Sequence, residues 1–158
     1  MNIRRLALAA ALFAAAPVAF AQSQTTTANM PVTINVTNTC TVGAGTLNFG
    51  DSSLAAAAGG QTNVNVTCSN KGAYSLAFND GVNAVTGQRR MRHATLTDTL
   101  NYNLSGASVG GAALTGFSST STGGNVANVH TVYGQVPSGQ SNKATGTYND
   151  SVLVTLTY

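Results

Sequence analysis

Charge is what this chain has least of: only 7% of its 158 residues are Asp, Glu, Lys or Arg. The four acidic residues are all aspartates, Asp51, Asp80, Asp98 and Asp150, and they are dispersed. No pair of carboxylates is therefore preset for acid–base chemistry. The two histidines, His93 and His130, are equally isolated, so neither the spacing nor the company of a metal-ligand set is present. GxSxG, HExxH and a phosphate-binding glycine loop with its lysine are missing too. These gaps exclude an enzyme and leave catalytic, cofactor and metal sites at none. A scarcity of charge also argues against disorder, which needs high net charge and few apolar side chains. Beyond the first residues the basic side chains are Lys71, Arg89, Arg90, Arg92 and Lys143, nearly balanced by the four aspartates. Nucleic acid is not an expected partner.

Long apolar runs are also scarce, and the one present is at the start. Arg4-Arg5 precedes an uncharged stretch from Leu6 to Ala16, and Ala19-Phe20-Ala21 forms an A-x-A site before Gln22. The run is too short for a membrane span and lacks a stop-transfer charge, so residues 1–21 read as a secretory signal peptide. What remains is one domain large enough for a core. The mature chain is expected to be exported.

Only two cysteines occur, Cys40 and Cys68. An even number in an exported chain reads as one disulfide. By loop-closure entropy such a bridge contributes about 3 to 4 kcal/mol. A redox or metal pair would want a CxxC spacing or a histidine or acidic residue beside a sulfur, and neither is there.

Period-two alternation dominates what is left. Met30, Val32, Ile34 and Val36 alternate with Pro31, Thr33, Asn35 and Thr37. The same pattern recurs in Val64, Val66, Cys68; in Tyr74, Leu76, Phe78; in Leu100, Tyr102, Leu104; and in Val152, Val154, Leu156, Tyr158. Each set puts its apolar members on one face of a strand. Gly59-Gly60, Asn70-Lys71-Gly72, Asn79-Asp80-Gly81, Gly110-Gly111 and Gly123-Gly124 read as turns between strands. The expected fold is therefore all-β, an antiparallel sandwich or barrel. The alanine run ending at Ala58 is too short for a helix beyond a single turn and reads as a loop. The Ser/Thr/Gly-rich segment from Thr115 to Asn128 reads as a long surface loop. Arg89-Arg90-Met91-Arg92-His93 reads as a strand with outward arginines that keep a neutral surface soluble. No aromatic side chains interleave with these arginines as a single-strand nucleic-acid binder requires.

The polar leader Gln22 to Asn29 before the alternating Met30–Val36 has no use in an ordinary first strand. Pro31 suits the beginning or edge of a strand. A strand lent to another molecule would need such a tether.

At this point the chain resembles the spore coat protein U domain family, which includes the subunits of archaic chaperone-usher pili (Csu-like pilins). The resemblance rests on Ile34 to Val42 with Cys40, on Gly45-Thr46-Leu47-Asn48-Phe49-Gly50, and on Val64 to Cys68. It continues through Tyr74 to Gly81, Arg89 to Met91, Leu100 to Leu104 and Thr131 to Gly134, and ends on Gly146-Thr147-Tyr148-Asn149-Asp150 with Ser151 to Tyr158. It implies an incomplete immunoglobulin-like antiparallel β-sandwich completed by a donor strand, with residues 22–37 as the N-terminal donor segment and residues 38–158 as the sandwich. The donor residues would be Met30, Val32, Ile34 and Val36. The accepting edge, and contact for a chaperone, would include Val152, Val154, Leu156 and Tyr158. The partners implied are identical or homologous pilin subunits, a periplasmic chaperone and an outer-membrane usher, with no nucleic acid, and the route implied is through the periplasm to the cell surface, in a fibre for adhesion or biofilm formation. The alternative is a self-contained secreted coat or carbohydrate-binding module that uses its own first strand.

Overall fold

The computed structural model describes residues 22–158. The expected signal peptide, residues 1–21, lies outside the described residues. The chain divides after Ile34 into an N-terminal stretch and a compact body. Residues 22–34 form no strand, and Met30, Val32 and Ile34 are more than 80% exposed.

The body contains ten strands and, among the described residues, no helix. They are β1 (Cys40–Ala44), β2 (Ala58–Cys68), β3 (Lys71–Phe78), β4 (Arg90–His93), β5 (Thr99–Asn101), β6 (Asn103–Ser105), β7 (Gly116–Thr122), β8 (Ala127–Val136), β9 (Tyr148–Asn149) and β10 (Val154–Thr157). Every pairing is antiparallel, and the sheets run β1-β2-β8-β6, β10-β3-β7 and β5-β4-β9. The core lies between the first two sheets. Val64 and Val66 of β2 and Val132 and Val136 of β8 face Tyr74 and Leu76 of β3, with Leu104 and Tyr102 filling the space beside them. This is an all-β sandwich, built as the alternation requires: along β2, β3 and β8 the inward residues are in general more buried than their neighbours.

Cys40 and Cys68 are bonded and lie directly opposite each other in the β1–β2 ladder. The bridge joins the first residue of β1 to the last of β2. Just ahead of it, the Asn70 side chain donates to the Thr37 carbonyl (2.8 Å), the Asn70 amide donates to Asn38 Oδ1 (2.9 Å), and the Thr39 amide donates to Ser69 Oγ (3.1 Å). Thr37 to Thr39 are thus fastened to the β2–β3 turn.

Three local expectations change. Gly59-Gly60 is not a turn but lies inside β2. The reason is the segment Leu47–Phe49, which lies across the inner face of that sheet. A Cβ on Gly60 would run into the Asn48 carbonyl, and one on Gly134 would meet the side chains of Leu47 and Phe49. Glycine is what lets a third layer of backbone approach so closely.

The expected loop Thr115–Asn128 instead contains β7 and the start of β8. β7 pairs with β3 along seven positions. Its exposed serines and threonines are solvated, while Phe117 packs edge-on against Phe78 at 5.8 Å and Ser121 is buried, its Oγ accepting from the Gly123 amide. Ladder bonds to a neighbouring strand override a composition that reads as loop. Lastly, the run Leu100–Leu104 alternates and buries its apolar members as expected, yet it changes sheet at Tyr102: β5 pairs with β4 and β6 with β8.

Candidate functional site: a groove between two free edges

Two edge strands border the same opening. β1 is bonded to β2 on one side only, and β10 to β3 on one side only. Between them runs a groove of about 410 Å³ whose rims are Ala44 to Leu47 and Tyr148 to Val154. Its floor is core: Phe49, Val64, Phe78, Tyr102, Leu104 and Val132. A second hollow of about 890 Å³ shares Leu47, Phe49, Met91 and Tyr148 with it and continues along Gly50 to Leu54.

The burial pattern of the rims shows what is missing. In β1 the core-facing positions are Cys40, Val42 and Ala44, yet only Cys40 is buried and Val42 is 38% exposed. In β10, Val154 and Leu156 face the core and are only half buried; Val152, just ahead of the strand, is in the same condition. Inward-pointing apolar residues on both rims therefore lack cover from above. Their unpaired backbone groups form an open template for another strand.

Asp150 holds the β10 rim in place. Its Oδ2 accepts from the Tyr102 hydroxyl at 2.6 Å, and its Oδ1 accepts from the backbone amide and side chain of Asn83 at 3.1 and 2.9 Å. Burial and the carboxylate beside it push the Tyr102 phenol well above its usual range, so this hydroxyl stays a donor. The Leu153 amide donates to Asn79 Oδ1 at 2.8 Å, and the Val82 amide to the Ser151 carbonyl at 3.1 Å.

The expected accepting residues divide. Val152 and Val154 line the groove, and Leu156 continues inward along β10. Tyr158 lies beyond β10 and is 58% exposed. Of the expected donor residues, Val36 is 67% exposed and, like Met30, Val32 and Ile34, lies outside any strand.

The basic cluster needs correction. Arg89 does not point outward: it is buried, donates to the carbonyls of Asn79 (3.0 Å) and Phe78 (3.4 Å), and lies 3.6 Å from Asp80. It precedes β4 and ties the end of β3 to it, because a planar guanidinium can satisfy several carbonyls at once. His93 is also buried. Its Nδ1 accepts the amides of Thr95 and Leu96, which leaves Nε2 to donate to the Thr145 carbonyl at 3.2 Å. Sequence spacing carried no sign of either role. Among the described residues no group of three or more His, Cys, Asp or Glu could hold a metal ion.

The Spore Coat Protein U domain family matches residues 26–155. Protein U of Myxococcus xanthus is 36% identical over an alignment of 182 residues that covers all of both chains. A chain in the crystal structure of the CsuC–CsuE chaperone–tip adhesion subunit pre-assembly complex, from archaic chaperone-usher Csu pili of Acinetobacter baumannii, superposes with a TM-score of 0.58 at 20% identity. That match covers 78% of this chain and only 40% of the other, and at such identity it shows a likeness of fold alone. The extent of the family match and the full-length similarity to Protein U place this chain in the Spore Coat Protein U domain family.

Proposed function

We propose that the chain is a subunit of a surface fibre whose groove accepts a strand from another molecule and whose residues 22–37 supply one in turn. The observation that carries this reading is the pair of uncovered rims: β1 and β10 each have a free edge and core-facing side chains open to solvent across one apolar groove. A strand laid between them would complete both ladders and bury the groove floor, which is β-augmentation. Residues 30–36 have the chemistry for the donor, with Met30, Val32, Ile34 and Val36 at alternate, exposed positions. Each would stabilise the joint by about 1.5 to 3 kcal/mol on burial, with ladder hydrogen bonds adding about 1 kcal/mol apiece.

An open groove of this kind is an aggregation hazard before assembly. That supports a periplasmic chaperone as its temporary occupant and an outer-membrane usher as the exit, with adhesion or biofilm formation as the fibre's use. The chaperone–subunit complex named for the Csu structure supports the same order of events. Export rests on residues 1–21 acting as a signal peptide.

The test compares Ile34→Asp with Asn35→Asp at matched expression, reading fibre length by electron microscopy and secreted subunit level. A carboxylate forced into the groove costs several kcal/mol, whereas position 35 points the other way on the same strand. Ile34→Asp should abolish long fibres and Asn35→Asp should leave them. If both assemble normally, or both fail equally, residues 30–36 are not a donor strand.

A further inference from the structure

A second site lies on the other face of the β1-β2-β8-β6 sheet. β8 turns Val129, Thr131, Tyr133 and Gln135 away from the core, and the neighbouring β6 carries Asn103, exposed, and Ser105, buried under the loop that follows, on the same face. Asn103 stands opposite Gln135 in the ladder and Ser105 opposite Tyr133. These four side chains make a two-by-two patch, about 5 Å across the strands and about 7 Å along them. The loop after β6 returns over it. Ser105 bridges to Ala113, and the Leu114 amide donates to the Leu104 carbonyl at 2.8 Å. Gly110 and Gly111 come so near that a Cβ on the first would lie 3.0 Å from Gln135 Nε2, and one on the second 2.6 Å from Ser105 Oγ. Together they enclose a pocket of about 240 Å³.

The chemistry of this pocket is uniform. No lining residue carries a charge, so it has nothing with which to hold an anion, an amine or a metal ion. It offers a phenol ring and hydroxyl from Tyr133, the side-chain amides of Asn103 and Gln135 and the Gly110 peptide; Ser105 is buried beneath, its Oγ accepting from the Ala107 amide at 3.2 Å, and the Gly111 amide is held by the Ser108 carbonyl. Among the described residues the Gln135 amide and the Tyr133 hydroxyl have no protein hydrogen-bond partner. The Asn103 carbonyl oxygen has only a 3.5 Å contact from Gln88. Amides present a donor and an acceptor side by side, which matches vicinal hydroxyls, and the tyrosine ring offers an apolar face to C–H groups. Drug-sized pockets run from about 300 Å³ upward, so this one has room for a single ring rather than a chain. Strand addition is excluded here, because residues 113–114 already occupy the outer edge of β6.

We infer that this pocket binds one ring of a neutral sugar, presented by an uncharged polysaccharide, so that the subunit carries a glycan contact on the sheet face turned away from the core. The inference goes beyond the fibre reading and does not depend on it.

The mature protein is incubated with insoluble cellulose, chitin and mannan, and with polygalacturonate as an acidic comparison. Free glucose, N-acetylglucosamine and mannose serve as competitors. Saturable binding to at least one neutral polymer is expected, with none to polygalacturonate, and the matching free sugar should displace it. Gln135→Ala should weaken binding by about tenfold, the effect of one lost hydrogen bond of ordinary strength. Tyr133→Phe, which keeps the ring and removes only the hydroxyl, should also weaken it at an unchanged urea midpoint. Asn63→Ala, on the same sheet face but outside the pocket, should leave binding as it was. The proposal is overturned if none of the three neutral polymers is bound saturably, if no free sugar competes, if Gln135→Ala and Tyr133→Phe both bind normally, or if Asn63→Ala loses as much.

Discussion

Polar side chains at single positions do much of the work of fixing this sandwich. His130 is one: its Nε2 lies 2.7 Å from the Tyr74 hydroxyl and its ring stacks on Phe117 at 4.7 Å, so it links β8 to both β3 and β7. Burial lowers its pKa from the usual 6.5, which means the fold prefers the neutral ring while the unfolded chain takes up the proton more readily. The stabilisation is therefore complete above 6.5 and is lost as pH falls below it. Urea midpoints of the disulfide-intact protein should drop between pH 7 and pH 5, and His130→Gln should flatten that part of the profile. Asp150 is the other. Asp150→Ala leaves the buried Tyr102 hydroxyl without its acceptor and should destabilise by about 1 to 3 kcal/mol in urea unfolding. Adding Tyr102→Phe should recover part of that loss, because the stranded donor is then removed along with its acceptor.

At the scale of elements, strands with an apolar face were legible and strands without one were not. β2, β3 and β10 follow from alternation because water and core impose a period of two on them. β7 escapes, since Ser118, Ser119 and Thr120 expose hydroxyls whatever the backbone does, and its ladder with β3 pairs residues 39 to 51 positions apart in sequence. Arg89 was misjudged for a similar reason: its partners, Phe78 and Asn79, belong to another strand end. Of the candidate groove, the β10 rim shows in the alternation of Val152, Val154 and Leu156. The floor does not, because Phe49, Phe78 and Tyr102 meet only once the sheets are packed. The disulfide was legible from cysteine number and the expected export, and the ladder adds its purpose: it pins β1, a strand bonded on one side only, at its first residue. Replacing both cysteines, Cys40→Ser with Cys68→Ser, should cost about 2 to 5 kcal/mol by urea unfolding. The mass of the unreduced mature protein should show the two-proton deficit of the bridge.

At the scale of the whole molecule, the proposed subunit, giving one strand and taking one, would behave like a monomer with two complementary ends, and its assembly should obey the stoichiometry of linear polymers. A heterologous contact of this kind does not close on itself, so growth is open-ended. Removing either end leaves a chain that can occupy only one terminus. Deleting residues 22–36 removes the proposed giving end and, since the body's anchoring begins at Thr37, should leave the sandwich intact. The taking end can be blocked at Ala44, a core-facing position of β1 on the groove rim that is exposed in the free subunit. Ala44→Glu should change the stability of the isolated fold by only about 0.5 kcal/mol, as an exposed substitution does. A strand arriving over it, however, would bury an unpaired carboxylate. Each variant alone should fail to form fibres. Co-expressed, they should combine into heterodimers and nothing longer, with the strand of the Ala44→Glu chain seated in the groove of the deleted one. Sodium dodecyl sulfate gels without heating and electron microscopy distinguish the outcomes. Long fibres from the mixture, or dimers from either variant alone, would show that residues 30–36 and the β1–β10 groove are not the two halves of one joint.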